Sequence, residues 1–107
     1  MKIEFPKFSL PILLNLTFSE EEMGNLKQGF QAQDMDDKWN AVWKNNALIL
    51  YRSWTGLPVY KIQFKGQKCK WGFISLSKGA IRPAITLLLL HRQIITSTIR
   101  KIAQPVA

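Results

Sequence analysis

From Lys38 to Ala107 the chain contains no aspartate or glutamate. All seven acids, Glu4, Glu20, Glu21, Glu22, Asp34, Asp36 and Asp37, lie in the first 37 residues, with only three of the fifteen basic residues, Lys2, Lys7 and Lys27. The first 37 residues therefore carry a formal charge of −4 and the rest +12, which together make the chain's +8. The larger part of the protein lacks any carboxylate for acid–base or metal chemistry. Its unbalanced cations set up a positive field over one region of the surface.

Cysteine and histidine are nearly as scarce. A single cysteine, Cys69, rules out an internal disulfide and fits a reduced, cytoplasmic setting, with an intermolecular bridge as the alternative. One Cys and one His fall short of the four ligands of a zinc site. Cys69 and His91 can be drawn as a nucleophile–base pair with an N-terminal Asp as orienter, but nothing in the sequence supports that pairing, and His91 reads as a hydrogen-bonded core residue. The six glycines are scattered, none in a strand-to-helix GxGxxG or GK[ST] setting, so no phosphate-cradling loop is expected. Asp34, Asp36 and Asp37 lack the further oxygens and fixed glycine of a hard-cation loop and read as solvated turn acids. No cofactor and no catalytic residue are expected.

Long apolar runs are missing too. Leu87 to Leu90 sit between Arg82 and Arg92, nine uncharged residues against the roughly 20 needed to span a bilayer; no integral membrane insertion is expected. Phe8 to Phe18 has the length of a signal-peptide core. Glu4, Pro6 and Pro11 interrupt it, and Glu20 to Glu22 stand where a small-residue cleavage site would be needed, so no signal peptide is expected.

What is present supports one domain. The chain is 47% apolar with four tryptophans, and at 107 residues a single core buries roughly 65% of the unfolded surface. Residues 1–18 read as an irregular lead-in because Pro6 and Pro11 discourage helix before them. A helix over 19–29 is well marked: Ser19 caps it, Glu22 completes a capping box, Phe18 and Met23 are placed as a staple, and Gly29 stops it. Residues 38–76 read as an antiparallel meander. Trp39, Ala41 and Trp43 share one face, Asn45-Asn46 turns, and Ala47 to Trp54 is apolar on both sides. Thr55-Gly56-Leu57-Pro58 turns again. Tyr60, Ile62 and Phe64 then alternate inward against Lys61, Gln63 and Lys65. After a turn at Gly66-Gln67-Lys68, a weaker strand runs from Cys69 to Leu76. Ser77-Lys78-Gly79 breaks the pattern and Pro83 suits the first turn of a helix over 83–102, with Leu87, Leu88, His91, Ile95, Ile99 and Ile102 at helical spacing. The expected architecture is α+β: a three- to four-stranded antiparallel meander with a short N-terminal helix and a longer C-terminal helix packed on one face.

The stretches Asp36-Asp37-Lys38-Trp39, Leu48 to Gly56 with its Arg52-Ser53-Trp54-Thr55-Gly56 pentapeptide, and Val59 to Phe64 resemble a family of small, uncharacterised bacterial domains. These are built on a Trp-rich hairpin and are also found joined to ADP-ribosylglycohydrolase-like domains. The similarity covers about residues 30–65. It implies a small α/β module and carries over no catalytic residues. Beyond Gly66 the chain departs from the family pattern, which continues with an acid-containing end; the segment from Lys68 onward is either strongly diverged or read from a shifted frame.

Arg52 shares a strand face with Leu48, Leu50 and Trp54. A half-buried guanidinium there needs a salt bridge to Asp36 or Asp37, stacking on Trp39 or Trp54, or an anionic ligand. Of the aromatic set Trp39, Trp43, Tyr51, Trp54, Tyr60 and Trp71, core packing should claim four. Three non-catalytic functions remain. The first is an interaction module acting with a partner protein. The second is a nucleic-acid binder using Lys61, Lys65, Lys68 and Lys70 beside exposed aromatics, in keeping with a pI near 9.9. The third is peripheral membrane attachment through the basic C-terminal helix. The candidate binding residues are Arg52, Trp54, Lys61, Lys65, Lys68 and Lys70.

Overall fold

Five extended segments build one antiparallel sheet, in which Ala47 to Leu50 are buried on both faces. In the computed structural model, residues 9–32, 38–75 and 88–103 are described. Their elements are β1 (Ser9–Thr17), α1 (Glu20–Gln28), β2 (Trp39–Lys44), β3 (Ala47–Arg52), β4 (Pro58–Lys65), β5 (Lys68–Ser75) and α2 (Leu88–Ala103). The strands lie in the order β1-β5-β4-β3-β2. Expected features at residues 1–8, Asp34, Asp36, Asp37, Ser77 to Gly79, Pro83 and Leu87 lie outside the described residues.

Short turns dictate the meander. Asn45 and Asn46 both take positive φ, 52° and 59°, the geometry of a two-residue hairpin turn that matches strand twist. Gly66, at φ 63°, opens the β4–β5 turn. The Arg52–Leu57 loop closes on itself: Gly56 N–H donates to Arg52 O at 2.7 Å and Arg52 N–H to Leu57 O at 3.0 Å.

The sheet has five strands, not three or four. The additional one, β1, falls in the segment expected to be irregular. Two prolines suggested irregularity, yet β1 is an edge strand, where a missing N–H costs no ladder bond. Leu10, Ile12, Leu14 and Leu16 turn inward while Pro11, Leu13, Asn15 and Thr17 are exposed. A bulge between Leu13 and Leu16, with Asn15 at φ 52°, bends the strand. The opposite edge, β2, is covered by Phe30, which exchanges hydrogen bonds of 2.9 and 2.7 Å with Ala41.

α1 forms as its sequence dictates. The Ser19 hydroxyl accepts from Glu22 N–H at 3.1 Å and the Glu22 carboxylate accepts from Ser19 N–H at 2.8 Å. Gly29 N–H donates to Leu26 O. Phe18, Met23 and Leu26 are buried. α2 lays His91, Ile95, Ile99 and Ile102 on the same core, while Leu89 and Leu90 at its start are exposed. Among the described residues no helix is long and apolar enough to cross a membrane. Core residues from the helices and from one sheet face (Leu14, Leu48, Leu50, Tyr60, Ile62 and Ile74) form a single cluster. Gly72 is part of the design: a Cβ there would sit 2.9 Å from Leu14 Cδ1, so its absence lets β1 close over β5.

Candidate nucleic-acid interface on the outer sheet face

With both described helices on one side, the sheet's other face carries the outward half of every strand's alternation. Pairing register arranges these residues in rows. One runs Pro11, Phe73, Lys61, Ile49, Val42; the next runs Leu13, Trp71, Gln63, Ala47, Lys44. Ile49 and Ala47 on β3 are buried, so the exposed part of this face lies on β1, β4, β5 and β2. Lys65 pairs with Lys68 at the hairpin end. Between Gln63 and Lys65 the register shifts, placing an extra residue in β5. Cys69 thus turns into the core while Lys68, Lys70 and Trp71 all stay exposed.

Trp71 is 43% exposed, Leu13 44% and Val42 37%, and Phe73 is half-buried. Gln63, Lys65, Lys68, Lys70, Trp71 and Phe73 line an open groove of about 410 Å³. No strand contains an acid, and the acids of the described residues, Glu20, Glu21 and Glu22, are in the first turn of α1. Among the described residues, this face therefore carries only positive charge.

The six candidate residues divide into two places. Lys61, Lys65, Lys68 and Lys70 come together with Trp71 and Phe73 on β4 and β5. Arg52 and Trp54 sit at the β3–β4 loop instead. There the Arg52 guanidinium stacks 4.9 Å from the centre of the Trp39 ring and 5.9 Å from that of Trp54, so the aromatic alternative is realised. Asp36 and Asp37, the alternative carboxylate partners, lie outside the described residues. Trp39 packs 5.3 Å from Tyr60, whose hydroxyl hydrogen-bonds His91 Nδ1 at 2.7 Å. Burial pushes the Tyr60 phenol up to about 12, the Arg52 charge working in the opposite direction.

Of the six aromatics, Trp39, Trp43 and Tyr60 join or pack against the core, one fewer than expected. Tyr51, half-buried, and Trp54 and Trp71, exposed, do not. Cys69 is buried and its thiol is pushed up to about 11, chiefly by desolvation, the opposite of an activated nucleophile. His91 is a buried, hydrogen-bonded core histidine, as read from the sequence, and desolvation lowers its pKa. Among the described residues no three His, Cys, Asp or Glu come together.

Phe73, Leu13 and Pro11 were absent from the candidate set. Phe73 is two residues from Trp71, a same-face spacing legible in the sequence. The β5 bulge hid it by breaking strict alternation from Lys68 onward. Leu13 and Pro11 could be placed only once β1 was known to be a strand. Comparison with protein-family models, curated proteins and solved structures gave no match.

Proposed function

We propose that this protein is a non-enzymatic, cytoplasmic binding module whose outer sheet face, around β4 and β5, takes single-stranded nucleic acid. The observation that carries this reading is the placement of Trp71 and Phe73 in one ladder with Lys61, Lys65, Lys68 and Lys70 on an acid-free sheet. Same-face neighbours on a strand stand about 6.6 Å apart, so the two rings offer adjacent platforms for unpaired bases. Each base stacked on such a ring contributes about 1–3 kcal/mol, whatever its identity. The lysines around the groove supply cations for the phosphates that follow.

Fluorescence anisotropy with labelled single-stranded DNA and RNA at low salt tests this directly. Trp71→Ala should weaken binding at least about fivefold. Changing Lys61, Lys65, Lys68 and Lys70 together to Glu should abolish it, with circular dichroism unchanged. A second reading, docking of a partner protein, is favoured by the exposed Leu13 and Val42 and by the resemblance of residues 30–65 to a domain found joined to other domains. Absence of oligonucleotide binding at low salt, with a partner protein captured through Trp71, would select it.

A further inference from the structure

Gln63 stands directly opposite Trp71 in the β4–β5 ladder and opposite Ala47 in the β3–β4 ladder. Opposed residues carry Cβ atoms about 5 Å apart, so a base lying on the Trp71 ring brings its edge within reach of the Gln63 side chain. That side chain is held in place. Its Nε2 donates to the Asn46 carbonyl oxygen at 3.2 Å, and the same oxygen accepts from Phe64 N–H at 2.8 Å, so the anchor is itself part of the sheet. A carbonyl oxygen only accepts, which requires the amide to turn its NH2 group toward Asn46 and fixes which end carries the oxygen. The bond draws the amide toward the β2–β3 turn, on the far side of β4 from Trp71. It therefore meets a stacked base at its edge and not at its face.

Gln63 lines the groove together with Lys65, Lys68, Lys70 and Trp71. Ammonium groups and the indole N–H only donate; the Gln63 amide adds an acceptor, Oε1, beside its second N–H. Resting on the nucleic-acid reading above, we infer that Gln63 selects the base stacked on Trp71. It favours adenine and cytosine, which carry an exocyclic amino group next to a ring-nitrogen acceptor. The amino group donates to Oε1 while the ring nitrogen accepts from the second N–H, the paired contact that an amide makes with adenine. In uracil and thymine a carbonyl oxygen takes the place of the amino group and would face Oε1 with no proton between them. Trp71 thus supplies stacking that is indifferent to sequence, and Gln63 supplies the discrimination.

The test is fluorescence anisotropy of the full chain with short labelled DNA strands at low salt. One strand is all adenine; its counterpart carries unsubstituted purine, the same ring without the amino group, which keeps the stacking surface and removes the donor. The native chain should bind the adenine strand roughly fivefold more tightly, and cytosine should be favoured in the same way over its ring lacking the amino group. Gln63 is exposed, so Gln63→Leu should leave the circular dichroism unchanged. That variant should bind the adenine and purine strands equally, through weaker binding of adenine. Lys70→Gln should weaken both strands and keep their ratio. Equal binding of the two strands by the native chain, or a preference that survives Gln63→Leu, would overturn this inference and leave the nucleic-acid reading standing. No binding of any strand would overturn that reading and this inference with it.

Discussion

Gly29 stands at φ 74° and ψ −170°, a region that residues with a Cβ avoid. A Cβ added there would lie 2.6 Å from the Ala41 carbonyl oxygen, backbone that also holds Phe30. Gly29→Ala is therefore expected to cost about 1–3 kcal/mol in urea denaturation; a smaller loss would show that the α1–β2 connection relaxes. Tyr60 and His91 make a second dependency. Both are buried, their hydrogen bond is 2.7 Å long, and among the described residues His91 Nε2 has no partner. Tyr60→Phe strands the other ring nitrogen and should destabilise by about 1–3 kcal/mol. Desolvation lowers the His91 pKa below its ordinary value near 6.5, so the unfolded chain takes up the proton first. Stability from this group is full above pH 6.5 and declines as pH falls from there through the folded-state pKa. Denaturation midpoints measured from pH 7.5 downward should show this decline, and His91→Phe should flatten it.

At the scale of elements, α1 and the three hairpin strands β2, β3 and β4 were legible because their signals are local. A capping box, an Asn-Asn turn and a clean Tyr60-Ile62-Phe64 alternation each act within a few residues. Ser19→Ala removes the hydroxyl that accepts from Glu22 N–H and should cost about 1 kcal/mol, read as a lower thermal midpoint. β1 was not legible, although Leu10, Ile12, Leu14 and Leu16 alternate, because Pro11 argues against a strand unless the strand is known to be an edge. Its partner β5 is 51 residues or more away along the chain, and no local pattern announces such a pairing. The site was half legible for the same reason. Lysine content marked Lys61, Lys65, Lys68 and Lys70, whereas the rows linking them to Phe73, Leu13 and Val42 exist only through non-local register. Arg52 stacking on Trp39 was among the expected outcomes.

At the scale of the molecule, the separation of charge along the chain becomes, among the described residues, a separation in space. The three described acids serve the first turn of α1, while the sheet carries cations alone and turns one face away from the described helices. Folding thus leaves lysines and two half-exposed rings on a single surface, and the central claim is that this surface binds phosphates and bases together. If four lysines each neutralise one phosphate of a single strand, affinity should fall with salt along a log–log slope of about −3. The deciding measurement is that slope, taken by anisotropy for the native chain and for a variant with Lys61, Lys65, Lys68 and Lys70 changed to Gln. The account predicts a slope near this value that collapses toward zero in the variant. An unchanged slope, or no binding by the native chain at low salt, would contradict it.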